Sequence, residues 1–576
     1  MRSKGGAYAE AIPLIVLSVS ALVTVALVWA IPTVVAWLHA GRQPPLDMID
    51  AVSALFNGHL LSDDPARAYP RPTRRLMPGA AGFWSGTGMF LLLLSTALFG
   101  IVRFVDIRAS RPSADQRWWH LRGRRPHEFG RYRTVRDLLV DGPSPDRVIV
   151  GEIARPKALL SISRQVNMAV LAAPRTGKSS GLVIPSILEH EGPVITTSVR
   201  TDVAQHTIAR RRRLGRVWVW DPFGAESDAW DLLQGCEDWE HALLVARWLG
   251  RARKVGDSGM SEYFDEEAEG LVAPYLHAAA LTPDINATGV YSWILARNDR
   301  SADEILADVG ANDARARLQA VYSYTERQRD GIIGTAAVQL KAYGHPAAMR
   351  TARRGEGLTP GDLFDGPNTL YIVAGREHQQ LLAPLVVTMI SSLMHWLSEH
   401  ENRTGSRLDP LALLALDETA SIAPLETLPQ MLATSLGSGA RFMTVWHSVA
   451  QIRRTFGADA AAEILALSQG KVFMGSVTDQ FTRQELVDLL GHQQRGRRET
   501  GYGVDVLTAQ ALQRTTAGEG LLVDSDLPPV FFRQRRHYLD PNLLRLKGSS
   551  EVLTGRAAGD QAAGHGDPPA APAQLS

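Results

Sequence analysis

Hydrophobic and polar positions follow two different patterns along the chain. Near the start lie two uncharged apolar runs, 12–38 and 83–102, each long enough for the roughly 20 residues that a bilayer span needs. Pro13 and Pro32 sit near the ends of the first run, where a missing amide donor does least harm. Trp29 and Trp37 suit a membrane interface. The run is too long for a signal-peptide core and shows no small-residue cleavage site, which favours a span. The expected anchor is therefore 1–107, with spans at about 12–38 and 83–105 and an outer loop at 39–82.

From about residue 136 the pattern shortens. Compact runs of apolar, β-branched and aromatic residues predict strands at 148–153, 158–162, 166–171, 193–199 and 216–220. More follow at 369–374, 411–416, 442–446, 472–475 and 520–523. Helical spacing marks 180–189, 202–213 and 380–399. Strands alternating with helices predict a mostly parallel sheet covered on both faces. In 236–343 the spacing is helical throughout, at 239–253, 261–280, 301–309 and 312–329, so an all-helical insertion is expected there. It divides an α/β domain into 108–235 and 344–540, and the Ala/Gly/Pro-rich stretch 541–576 reads as a disordered tail.

Charge alters this picture only locally. The 61 Lys and Arg nearly cancel the 60 Asp and Glu, so net charge names no partner. Ten arginines between Arg103 and Arg136, with few acids among them, follow the second apolar run, whereas the 39–82 loop is nearly balanced. The positive-inside rule then puts both termini in the cytoplasm and the loop outside. The same belt suits anionic lipid, or nucleic-acid phosphates. Arg210–Arg213 reads as a solvated helix end, with DNA contact the alternative. The single Cys236 excludes an intrachain disulfide.

Candidate chemistry begins at Ala172-Ala173-Pro174-Arg175-Thr176-Gly177-Lys178-Ser179-Ser180, between a predicted strand and a predicted helix. Strand, tight loop and helix opening on Gly-Lys-Ser form the context of a phosphate-binding loop. Amides at the helix start face a polyphosphate, Lys178 adds a mobile cation, and the Ser179 hydroxyl is placed to ligate Mg²⁺. Gly177 lets the backbone approach the phosphates. Pro185 must fall early in the following helix or bend it. Far downstream the apolar strand 411–416 runs into Asp417-Glu418. In a phosphate-loop ATPase this pair sits at the carboxyl edge of the sheet, with Asp417 on Mg²⁺, through water or with Ser179, and Glu418 polarising the attacking water.

These two blocks carry a resemblance. Residues 167–224 are similar to the nucleotide-binding domain of type IV secretion coupling proteins, the TraG/TraD family: a phosphate loop, then Leu182-Val183-Ile184-Pro185, a strand, and Asp221-Pro222. Residues 416–452 are similar too, with Leu-Asp-Glu, a helix through Leu432-Ala433-Thr434, a strand, then Ser448 and Gln451. Residues 520–538 resemble the family's closing strand and Pro-Pro segment. The resemblance implies an inner-membrane, multi-pass, hexameric RecA-like ATPase using ATP and Mg²⁺. Such a motor delivers DNA, here expected single-stranded with its relaxase or relaxosome, or protein, to a type IV secretion channel. The helical insertion is implied to read the substrate. Ala172 departs from the usual first Gly, and 199–200 lacks the family's Asp-Lys-Gly. His447 stands where many members carry a γ-phosphate-sensing Gln, with Gln451 a second candidate. Arg441, Arg453 and Arg454 are candidates for a cation supplied to a neighbouring subunit's site. A double-stranded DNA pump of the FtsK kind and a docking receptor with little ATPase activity are the competing readings.

Overall fold

Strands buried on both faces need unbroken apolar runs, and the runs of this chain meet that demand. The computed structural model describes residues 28–60, 62–109, 135–153, 158–252, 259–475, 479–490, 492–493, 504–505, 518–524 and 527–548. Twelve strands form one sheet: β1 (Leu139–Val140), β2 (Ile149–Ile153), β3 (Ala158–Ser161), β4 (Met168–Ala172), β5 (Val194–Ser198), β6 (Val217–Trp220), β7 (Thr369–Val373), β8 (Ala412–Leu416), β9 (Ala440–Trp446), β10 (Gly470–Met474), β11 (Glu519–Asp524) and β12 (Val530–Arg533). Their spatial order is β1-β3-β2-β12-β11-β10-β4-β9-β8-β5-β7-β6. From β10 to β6 every neighbouring pair is parallel. From β10 outward through β11, β12, β2, β3 and β1 every pair is antiparallel.

The parallel centre is where the apolar runs lie. Every residue of β4, β5, β7, β8, β9 and β10 is buried. Val170, Leu182, Ile187, Leu413, Val445 and Val472 share one core cluster, and each such side chain contributes about 1.5–3 kcal/mol on burial. Asn167, just before β4, ties this core together: its amide donates to Leu432 O (2.8 Å) and accepts from Phe442 N–H (2.9 Å). Helix Gln379–Thr404 buries Leu382, Leu385, Val386, Ile390, Leu393 and Leu397. Among the described residues it alone is both long and apolar enough to cross a membrane, and most of it is buried inside the fold.

Between β6 and β7 the described residues form helices and no strand. The helix expected over 312–329 is two, Asn312–Tyr322 and Glu326–Gln339. Thr325 takes extended ψ (150°) and its hydroxyl bonds Gln328 Oε1 (2.6 Å), so a Thr-x-x-Gln start signal opens the second helix. Helix Ala287–Ala296, absent from the spacing argument, is opened by Asn286, which accepts from the amides of Thr288 and Gly289.

Two expectations need correction. Arg211, in the basic run 210–213, is fully buried rather than solvated, and its guanidinium donates to Thr369 Oγ1 (2.6 Å), Gly192 O (2.7 Å) and Pro367 O (2.9 Å). The stretch read as a tail from 541 opens with helix Pro541–Lys547, capped by Asp540 and started by a proline in its first turn. Residues 549–576 lie outside the described residues.

The chain divides into two units, Met1–Arg125 and Pro126–Ser576. The first holds helices Val28–Ala40, Met48–Phe56 and Ala80–Ala109 around a small core of Val35, Ala36, Ala51, Ala54, Tyr69 and Phe83. Trp29 Nε1–H donates to Leu46 O (2.8 Å). Helix Ala80–Ala109 contains the second expected span, and of the first only the part from Val28 is described.

Candidate nucleotide site

The carboxyl ends of β4, β9 and β8 lie side by side, and each delivers a part of the site. After β4 the chain turns through 173–178. Gly177 has φ 90° and Arg175 has φ 65°, a left-handed conformation that costs a non-glycine residue about 1 kcal/mol. The Thr176 hydroxyl donates back to Ala173 O (2.8 Å) and closes the loop. Gly475, beyond β10, packs against it so closely that an added Cβ would stand 2.1 Å from Thr176 Cγ2.

The expected helix over 180–189 begins as a widened π turn, Ser179–Val183, before helix Ile184–Glu189. Ile184 N–H bonds Ser179 O, one residue further back than in an α-helix. Pro185 supplies the reason: it has no N–H for the carbonyl of Gly181, and its ring needs room against that carbonyl. Widening the turn meets both demands and leaves Lys178 and Ser179 at the helix start.

Across β9, the end of β8 presents the acidic pair. Asp417 Oδ2 accepts from Ser179 Oγ (2.7 Å), and Lys178 Nζ lies 3.5 Å from Asp417 Oδ1 and in contact with Glu418 Oε1. The Thr197 hydroxyl donates to Asp417 O (2.8 Å). Glu418 itself is left-handed (φ 58°, ψ 44°), and its carbonyl accepts the amides of Ser421 (2.9 Å) and Ile422 (3.1 Å). His447, at the end of β9 between the two, places Nε2 3.0 Å from Glu418 Oε2. Gln451 Oε1 accepts the His447 amide (2.8 Å), so the second sensor candidate is occupied in positioning the first.

The two carboxyls are driven in opposite directions. Burial pushes Asp417 up, outweighing Lys178 and the Ser179 hydroxyl. Burial also acts on Glu418, but hydrogen bonds from His447 and Lys178 outweigh it and bring its pKa down to about 2. Asp417 Oδ1 is buried without a hydrogen bond among the described residues. A carboxylate oxygen and a serine hydroxyl side by side are hard oxygen donors, the chemistry of a Mg²⁺ site, and the loop amides with Lys178 suit a polyphosphate.

Residues 172–180, Asp417, Glu418 and His447 thus come together as the sequence suggested. Arg441 does not join them. It is buried at the start of β9 and donates to the carbonyls of Asp146 (2.8 Å) and Arg164. Arg453 lies 4.5 Å over the Phe481 ring, and Arg454 is exposed. A further contributor lies outside both motifs. Gln534, just after β12, donates to Thr176 O (3.1 Å), and His537 N–H donates to Ser180 O (3.0 Å). No spacing rule links positions 358 residues apart.

Comparison with known proteins finds relatives of this chain by sequence and by fold. Protein VirD4 of Rhizobium radiobacter is 22% identical over 506 residues, spanning 81% of this chain and 69% of that protein. The conjugal transfer protein TraG of Escherichia coli is 23% identical over 318 residues, spanning 49% and 48%. Among solved structures, the plasmid coupling protein TrwB with the GTP analogue GDPNP superposes with a TM-score of 0.56 at 16% identity, over 71% of this chain and 94% of that one. TrwB with ADP and Mg²⁺ gives 0.53 at 16% identity, over 64% and 85%. These likenesses establish a shared mixed α/β fold. Residues 133–505, well over half of the chain, match the family model described as type IV secretory system conjugative DNA transfer, and the chain belongs to that family.

Proposed function

We propose that this chain is a membrane-anchored ATPase that couples DNA, carried as a single strand with its relaxase, to a type IV secretion channel and drives transfer by hydrolysing ATP. The observation that carries the reading is the convergence of Lys178, Ser179, Asp417, Glu418 and His447 at one sheet edge from three different strands. Family membership supports the transfer role, and the names of the relatives TraG and TrwB describe conjugal transfer and plasmid coupling.

In this reading the amides of 175–179 and the Lys178 ammonium bind the phosphates. Ser179 and Asp417 hold Mg²⁺, which when bound offsets charge on the phosphate oxygens. Glu418 orients and polarises the attacking water, held at its angle by His447. His447 also lies where a terminal phosphate would be sensed. Two apolar spans at about 12–38 and 83–105, both termini cytoplasmic, anchor the motor in the inner membrane, and six copies assemble it. Arg453 and Arg454 remain the candidates for a cation offered to a neighbouring copy.

The test is steady-state ATP hydrolysis by the full chain, with and without single-stranded DNA. The unmodified protein should hydrolyse ATP faster with DNA present, and Lys178→Ala should lose on the order of 100-fold or more. A protein without hydrolysis would replace the motor with a docking receptor, and a Lys178→Ala variant as active as the original would take the phosphate loop out of the reaction.

A further inference from the structure

We infer that Gln534 is a positioning residue of the phosphate loop, fixing the direction in which a loop amide faces the nucleotide. This rests on the nucleotide-site reading above and adds a residue to it from the far end of the chain. Gln534 is 7% exposed, and its own amide is anchored to Gly518 O (2.9 Å), so the side chain enters the loop from a fixed base. Its Nε2 donates to Thr176 O (3.1 Å), while its Oε1 is buried with no hydrogen bond among the described residues. That oxygen lies where side chains at two glycines would stand. A Cβ on Gly177 would come within 2.7 Å of it, and one on Gly181 within 2.8 Å. The two glycines therefore leave open a slot that the Gln534 side chain fills.

The consequence follows from peptide geometry. In a planar trans peptide the C=O and the following N–H point in opposite directions. Holding Thr176 O on the Gln534 side turns the Gly177 N–H to the other side, toward the concave face of the loop where phosphates bind. The same segment grips the loop's helix twice more, through His537 N–H to Ser180 O (3.0 Å) and Arg535 Nη1 to Glu189 Oε1 (2.7 Å). Of these three contacts only that of Gln534 reaches the 173–178 turn, so its loss should affect nucleotide affinity more than folding.

The experiment measures MgATP binding calorimetrically on the full chain in detergent, beside nucleotide-free melting curves. Gln534→Leu keeps the shape and removes the donor, and should weaken MgATP about tenfold, the size of one lost orienting hydrogen bond, with little change in melting. Gln534→Glu should bind worse still at alkaline pH, because a carboxylate then stands against Thr176 O and repels it where the amide donated. Relative to the unmodified protein it should recover as pH falls and the protonated carboxyl regains a donor for Thr176 O. If Gln534→Leu melts early, the pH recovery of Gln534→Glu decides. Unchanged MgATP affinity in Gln534→Leu, or no pH recovery in Gln534→Glu, overturns the inference while Lys178→Ala still loses binding. An unmodified protein that binds no MgATP overturns the nucleotide reading itself, and the inference with it.

Discussion

Glu418 is constrained three times over: by a left-handed backbone, by the Lys178 ammonium on one carboxylate oxygen, and by His447 on the other. A residue meant only to leave the strand needs none of these, whereas a group that must hold a water at a fixed angle needs all three. Its pKa falls from 4.5 to about 2, since the hydrogen bonds from His447 and Lys178 outweigh burial. A depressed carboxyl pKa stabilises the fold above the unfolded value and loses that contribution as pH drops through the folded one. The stability gap between the unmodified protein and Glu418→Gln, both without nucleotide, should therefore be full above about pH 4.5 and close toward about pH 2. Asp417, pushed up by burial, contributes in the opposite sense in both proteins. Melting temperatures across that range provide the check, and a gap that widens with acid would contradict the assignment.

At the scale of elements, the sequence was readable wherever burial on both faces demands an unbroken apolar run. The phosphate-loop strand, the Asp417 strand and the His447 strand were all evident, as was the long helix after β7. What escaped it was decided by single polar contacts. Asn286 opens a helix through a cap and Thr325 begins one beside a Thr–Gln side-chain bond, neither of which apolar spacing registers; Pro185, expected to fall early or bend its helix, widens the first turn into a π turn. The two-residue β1 is too short to carry a pattern, and Gln534 reaches the loop only because the antiparallel end of the sheet folds back. Arg211 is the clearest case, since in sequence it is one of four identical charges. Helix Asp202–Leu214 turns it inward, where it satisfies carbonyls of the turns before β5 and β7. Arg211→Met should thus cost about 3 kcal/mol, because several buried acceptors lose their donor together. Arg212→Ala, on the exposed side of the helix, should stay within about 0.5 kcal/mol. Denaturant midpoints of the two variants separate these outcomes, and equal midpoints would return the run to the surface.

At the scale of the molecule, the sheet order accounts for the site. Lys178 and Glu418 are 240 residues apart, and the helical stretch between β6 and β7 lies within that interval. They meet because β9 seats itself between β4 and β8, so that one sheet edge receives the phosphate loop, the histidine and the acids together. Helices inserted after β6 leave from the last strand of that order, three strands beyond β8. The central claim is that Lys178 and the Asp417–Glu418 pair serve one triphosphate. MgATP binding and turnover by Glu418→Gln test it most directly. Affinity should stay nearly unchanged, since Lys178, Ser179 and Asp417 remain, with hydrolysis reduced about 100-fold or more. A variant that loses MgATP binding, or that turns over like the unmodified protein, would contradict it.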